Sequence, residues 1–189
     1  GVGTMIADIK KDAEQRMTKA VAAFGQGLKK LRTGRAHTSL LEHIHVDYYG
    51  STVPLNQTAN VAVEDARTLS VTPWEPKMVQ VIEKAIMTSD LGLTPVTAGT
   101  VIRVPLPALT EERRRDLAKH INREAEQAKV AVRNIRRDVM ADVKELLKER
   151  EITEDEERKA EQVIQEITDR YVGQIEQVST DKQKEIMQV

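Results

Sequence analysis

All six prolines of this 189-residue chain lie between positions 54 and 107. Proline inside a helix removes a hydrogen bond and clashes with the preceding turn, so long helices are expected only in the flanks. The central segment, roughly residues 36–107, alternates short apolar and polar runs, as strands do. The sequence therefore predicts a helical part that is interrupted by a smaller unit of mixed structure.

Apolar residues recur at spacings of three and four along three segments, the period of helices with one buried face. The first segment begins near Ile6 and is predicted to end at Thr33-Gly34, where glycine can adopt a positive φ. The second is predicted to begin after the last proline, with Thr110 as N-cap, and to continue to about Glu149.

The third helical segment is predicted to start at a capping box, in which Thr153 and Glu156 satisfy each other's free N–H groups. Each of the three apolar stripes is narrow and needs a partner, and a three-helix bundle is the simplest arrangement that supplies one. Gly25 and Gly27 lie inside the first segment and indicate close helix packing.

The central segment predicts a hairpin around Tyr49-Gly50, further short strands and one helix that starts at Pro76. Residues in the further strands are Val61, Val63, Leu69, Val71, Ile102 and Val104. The predicted fold class is α+β, a long three-helix bundle with an inserted small β/α/β domain. The bundle comprises residues 5–34 and 108–189, and the inserted domain residues 35–107. We interpret residues 1–4 as an addition before a natural start at Met5.

An inserted domain brings its two connections close together, and two short parallel connections are typical of a hinge. The predicted hinge residues are Thr33, Gly34, Val104, Pro105, Leu106 and Pro107. A rigid elbow locked by Pro105 and Pro107 fits the same pattern equally well.

Charge is unevenly distributed along the chain although the net charge is only −1. The net charge is +5 over residues 1–35 and −3 over residues 36–108. It is +3 over residues 109–150 and −6 over residues 151–189. This separation predicts an oriented surface field that favours particular partners.

The second long helix has separate apolar, basic and acidic faces when it is drawn on a helical wheel. The basic face comprises Arg115, Lys119, Lys129, Arg133, Arg136, Arg137 and Lys144. Like charges at spacings of three and four cost stability, so such a face is better explained by a polyanionic partner than by solvent alone. Guanidinium groups match phosphate oxygens, and no aromatic residue interleaves for base stacking, which favours structured RNA. Arg32 and Arg35 could extend this RNA-binding surface.

The sequence lacks the residues that several classes of function require. The absence of Cys excludes disulfides and thiolate zinc sites. His43 and His45 have no third His nearby in the sequence, so we expect no metal. No nucleophile–base pair or cofactor motif is present, so we expect no enzyme activity and no cofactor. No apolar run approaches the ~20 residues of a membrane span, and we expect a cytoplasmic protein.

Several motifs together resemble the bacterial ribosome recycling factor family over Met5 to Val189. They are Arg32–Ala36, Val46–Gly50, Glu83–Ile86 with Ser89–Gly92, Ile102–Pro107, Leu109–Arg114 and Val130–Asp138. The resemblance implies an L-shaped molecule that binds the large ribosomal subunit and its RNA after termination. It also implies splitting of the subunits together with elongation factor G, whose own GTP hydrolysis drives the step.

The resemblance assigns much of the RNA contact to Arg133, Arg136 and Arg137, and the hinge to residues 32–35 and 104–107. An alternative function is a helical scaffold or chaperone, which would expose its apolar stripes and self-associate. The narrow stripes favour mutual burial, so we expect a monomer without membrane contact. A third alternative, an enzyme with an inserted lid domain, lacks a catalytic set of residues.

Overall fold

The computed structural model describes residues 1–188, without the side chain of Val2. Val189, the last residue of the predicted bundle domain, lies outside this range. The chain forms two compact units. The helical unit comprises Gly1–Leu31 and Arg114–Met187, and the sheet unit comprises Arg32–Arg113.

Long helices account for most of the helical unit. The α-helices of residues 1–188 are α1 (Val2–Lys29), α2 (Val79–Met87), α3 (Glu111–Lys148) and α4 (Glu154–Met187). Helices α1, α3 and α4 bury their apolar stripes against one another, with Met17, Ile121 and Ile164 among the fully buried side chains. Burial of this apolar surface is the main stabilising term, and the predicted bundle is confirmed.

Polar contacts fix the register of the three packed helices. The Arg16 guanidinium on α1 donates to Asp138 on α3 over 2.8 Å. The hydroxyl groups of Thr18 and Tyr171 join α1 to α4 over 2.8 Å. These contacts join α1 to α3 and to α4, while burial of the apolar stripes sets which face of each helix turns inward.

Local capping signals set the starts of α3 and α4. The hydroxyl of Thr110 accepts a hydrogen bond from the N–H of Arg113 over 3.0 Å. Thr153 and Glu156 exchange hydrogen bonds of 3.2 and 3.0 Å between side chain and backbone, so the predicted capping box is confirmed.

The predicted end of α1 is wrong. The helix ends at Lys29, and the N–H of Leu31 bonds back to Leu28 in a tighter last turn. The chain leaves the helix early because Thr33 is buried in the sheet unit, and because the N–H of Ala36 donates to Ala66 there. Tertiary contacts of the sheet unit therefore override the helical period.

The sheet unit contains two antiparallel sheets and α2. Its strands are β1 (His45–Tyr48), β2 (Ser51–Pro54), β3 (Ala59–Asp65), β4 (Thr68–Pro73), β5 (Val96–Ala98) and β6 (Val101–Pro105). Strands β1 and β2 form the predicted hairpin, and the other four have the order β3-β4-β6-β5. Ile82 and Ile86 of α2 lie in one buried cluster with sheet residues such as Val71. The α+β class is confirmed, and β5 is a strand that the sequence did not indicate.

Candidate RNA-binding surface

The buried face of α3 determines where its basic residues point. Its buried residues are Leu117, Ile121, Ala125, Ala128, Val132, Ile135, Val139 and Val143. The helical wheel places all of these residues on its apolar face together with Leu146, which is half-buried. Because this face packs inside the bundle, the basic face of α3 turns toward solvent.

Three arginines on the basic face are free of intramolecular charge partners. Arg133 and Arg137 are exposed, and Arg136 is half-buried with its Nε shielded from solvent and without a hydrogen-bond partner. None of the three forms an ion pair with any residue that the structure describes. The three guanidinium groups, which we call the free arginine cluster, are therefore available to an external anion.

Some other arginines of the chain are paired with carboxylates, unlike the three of this cluster. Arg16 lies 2.8 Å from Asp138, and that hydrogen bond raises the pKa of Arg16. Arg103 contacts Glu64 over 2.9 Å in the sheet unit. Arg133 and Arg137 instead lie four residues apart with the same charge, which costs a few tenths of a kcal/mol, about 0.2–0.5, in an isolated helix.

Lys129, another predicted RNA-binding residue, is paired within the protein, and its role in RNA binding remains a prediction. Its Nζ lies 3.4 Å from Glu126 and 3.3 Å from Glu176 of α4, and its side chain is only 15% exposed. Two carboxylates already compensate this charge, and one of the pairs joins α3 to α4. The structure therefore assigns Lys129 to helix packing.

Three further residues of the predicted basic face lie on α3, Arg115 and Lys119 toward its N-terminus and Lys144 toward its C-terminus. Lys119 is exposed, as is Lys144 toward the other end of the helix, so both extend the positive surface beyond the free arginine cluster. Arg115 is also exposed but takes part in an intramolecular contact, so its charge is not wholly available.

The remaining predicted RNA-binding residues, Arg32 and Arg35, belong to the sheet unit. Both side chains are exposed, and Arg32 borders a cleft of about 480 Å³ together with Leu40, His43 and Asp90. Their share in RNA binding remains a prediction.

The predicted hinge residues differ in how firmly they are held. Val104 and Pro105 belong to β6, and the backbone of Leu106 exchanges hydrogen bonds with Arg67 of 2.8 and 2.9 Å. Thr33 is buried. Pro107, in contrast, is exposed and lies outside any helix or strand. Any bend in the second connection is therefore expected at or after Pro107.

Gly34, in the first connection, is held in a conformation that suits glycine. Its φ is +79°, and a Cβ atom at this position would lie 2.9 Å from Cγ of Leu109. Close approach and positive φ together explain why a glycine is needed here.

The sheet unit exposes two aromatic side chains that the sequence analysis did not single out. Tyr49 and Trp74 are 65% and 58% exposed. The Lys77 ammonium lies 4.4 Å from the Tyr49 ring centre, and a hydrogen bond with Tyr49 raises the pKa of Lys77. The Tyr-Tyr-Gly run was the available signal, but only the fold brings Lys77 to the Tyr49 ring.

The residues that the structure describes form neither a metal-ion cluster nor a membrane-spanning helix. Within residues 1–188, no three His, Asp or Glu side chains converge on a position that could hold a metal ion. His45 Nδ1 lies 3.0 Å from the carbonyl oxygen of His43. Among the helices that the structure describes, none has the length and apolarity needed to cross a bilayer.

Comparison with known proteins gives one consistent family. A family model described as ribosome recycling factor matches residues 24–187. The ribosome-recycling factor of Nitrosococcus oceani is 61% identical over 98% of this chain and 99% of its own length. That of Halorhodospira halophila is 58% identical over 98% of this chain and 100% of its own length.

Solved structures give the same result. A solution structure of the ribosome recycling factor has a TM-score of 0.64 and 42% identity, over 97% of this chain and 98% of that chain. A second is described as models for the T. thermophilus ribosome recycling factor and the E. coli elongation factor G bound to the E. coli post-termination complex. It has a TM-score of 0.59 and 42% identity, over 96% of this chain and 98% of that chain.

The fold thus defines an α+β protein made of a helical bundle and a small antiparallel sheet unit, with a free basic surface on α3. The chain belongs to the ribosome recycling factor family. This confirms the resemblance noted in the sequence and the predicted class of function, a translation factor of ribosome recycling.

Proposed function

We propose that this chain binds the large ribosomal subunit through the free arginine cluster and, with elongation factor G, splits the post-termination ribosome into subunits. The observation that carries the RNA-binding part is the cluster itself, Arg133, Arg136 and Arg137 without intramolecular partners. Family membership and the neighbour bound with elongation factor G to a post-termination complex support the recycling part.

The chemistry of the surface favours an RNA backbone. A guanidinium group donates two parallel hydrogen bonds to phosphate oxygens, which suits arginine better than lysine. Helix α3 contains no Phe, Tyr or Trp, so its surface lacks the rings on which single-stranded bases stack. Structured RNA, which presents phosphates at fixed positions, is therefore the proposed ligand.

GTP hydrolysis, which drives subunit splitting, is the task of the partner protein. Elongation factor G hydrolyses GTP, and this chain contributes binding and force transmission without a catalytic step of its own. Because the ribosome is its target, we place its action in the cytoplasm. The alternative of a helical scaffold required exposed apolar stripes, whereas α1, α3 and α4 bury theirs within the unit.

The test is sedimentation of post-termination ribosomes with and without the protein, elongation factor G and GTP. We expect free subunits only when all three are present, and none when GTP is replaced by a non-hydrolysable analogue. Intact ribosomes in the complete mixture would overturn the proposal, and so would splitting at the same rate without this protein.

A further inference from the structure

An exposed valine lies inside the basic surface of α3. Val130 is 51% exposed. Among the described side chains of the helical unit, the only other large apolar group in this state is Met187 at the end of α4. Valine forms helix less readily than alanine, and an exposed side chain gains little from burial. Folding stability therefore gives no reason for a valine at this position.

The position of Val130 relates it to the free arginine cluster. Val130, Arg133 and Arg137 follow one another at spacings of three and four residues, so they share one outward face of the helix. Lys119 lies about three turns before Val130, and Lys144 about four turns after it. Glu126, one turn before Val130 on the same face, pairs with Lys129. The valine therefore borders the free arginine cluster, which continues from it toward the C-terminal end of the helix.

Double-helical RNA offers a matching pattern. Its minor groove is wide and shallow and presents sugars and base edges, with the phosphates of both strands at its sides. Ribose carbons are apolar, so a small branched side chain can contact them while neighbouring guanidinium groups reach the phosphates.

We propose that Val130 is an RNA-contacting residue, packing against ribose in the minor groove of double-helical large-subunit RNA while Arg133 and Arg137 bind the flanking phosphates. This inference rests on the proposed function, because it takes the free arginine cluster as the RNA site. It adds that the surface recognises the shape of the minor groove as well as its charge.

The two kinds of contact differ in their dependence on salt. Phosphate contacts release counterions, so each one adds to the slope of log affinity against log salt concentration. An apolar contact releases no ions and contributes equally at low and high salt. Removing the valine should therefore lower affinity without changing the slope.

The test compares Val130→Ala, Arg133→Ala and the matched control Met187→Ala in the full chain. Affinity is measured at several salt concentrations for large ribosomal subunits and for protein-free large-subunit RNA. We expect Val130→Ala to weaken both affinities about three- to tenfold, since it removes two buried methyl groups, with an unchanged slope. Arg133→Ala should weaken binding and reduce the slope by about one. Met187→Ala should change neither quantity.

Impaired folding cannot explain the expected loss of affinity. Alanine favours helix more than valine, so the melting temperature of Val130→Ala should equal or exceed that of the parent. Unchanged affinity for Val130→Ala alongside weakened Arg133→Ala would overturn this inference alone. Unchanged affinity for both would also overturn the proposed RNA site. Weakened binding to subunits but not to protein-free RNA would show that Val130 contacts a ribosomal protein, and would likewise overturn the inference.

Discussion

Two glycines of α1 have room for a methyl group. A Cβ atom added to Gly25 or Gly27 would meet nothing within 4 Å, so the close helix packing predicted at these positions is wrong. Both residues have helical backbone geometry and lie inside a continuous helix. Their effect is therefore on the unfolded chain, which glycine makes more flexible.

Replacing Gly25 and Gly27 by alanine should stabilise the helical unit. Each substitution is expected to raise the free energy of unfolding by about 0.5–1 kcal/mol, because alanine loses less backbone entropy in a helix. Thermal and urea unfolding followed by circular dichroism measure the change. Gly34→Ala is the opposite control, since its positive φ and contact with Leu109 predict destabilisation. A lower melting temperature for Gly25→Ala would contradict this account.

Individual residues of the site were predictable from the wheel only where no distant partner intervenes. Arg133 and Arg137 are exposed, as their position on α3 indicated. Lys129 lies in the same predicted sector, but Glu176 from α4 compensates its charge. The spacing within one helix cannot reveal which carboxylate of another helix will face it.

Helix ends that are set by local capping residues were predicted correctly from the sequence. Helix and strand ends that depend on contacts with distant parts of the chain were not. The side chains of Thr110 and Thr153 cap α3 and α4 as expected. The three-residue strand β5 exists only because it pairs with β6, and its own sequence is too short to alternate clearly. The early end of α1 has a similar cause, since the chain after Lys29 joins the sheet unit.

Removal of the capping box should destabilise α4 from its start. Thr153→Ala leaves the N–H of Glu156 without its acceptor, and the expected cost is about 0.5–2 kcal/mol of unfolding free energy. Chemical denaturation provides the value, and Thr153→Ser should retain most of the stability because serine keeps the hydroxyl. Equal stability of the alanine variant and the parent would show that the cap contributes nothing.

For the whole molecule, the hinge hypothesis concerns the connections between the two units. Val104, Pro105 and Leu106 are held by strand pairing or hydrogen bonds, whereas Pro107 and Ala108 are exposed and outside regular structure. The hinge hypothesis therefore predicts that force passes between the units through the short segment that follows Leu106.

A longer second connection should uncouple binding from splitting. Inserting a short Gly/Ser linker between Pro107 and Ala108 interrupts no helix or strand, and it lies outside the helical unit, so affinity for the large subunit should stay close to that of the parent. The rate of subunit splitting with elongation factor G and GTP should fall, because a slack joint transmits less force. Splitting at the parent rate, with affinity unchanged, would refute the hinge hypothesis.

The most direct test of the central claim is the affinity of the double variant Arg133→Ala/Arg137→Ala for large ribosomal subunits at two salt concentrations. Both side chains are exposed and unpaired, so the free energy of unfolding should change by no more than about 0.5 kcal/mol. Unfolding followed by circular dichroism can verify this. We expect weaker binding and a slope of log affinity against log salt concentration that is smaller by about one to two. The control Glu145→Ala/Glu149→Ala, also exposed on α3, should bind like the parent. Parent-like affinity and slope in a well-folded arginine double variant would contradict the claim that this surface binds RNA.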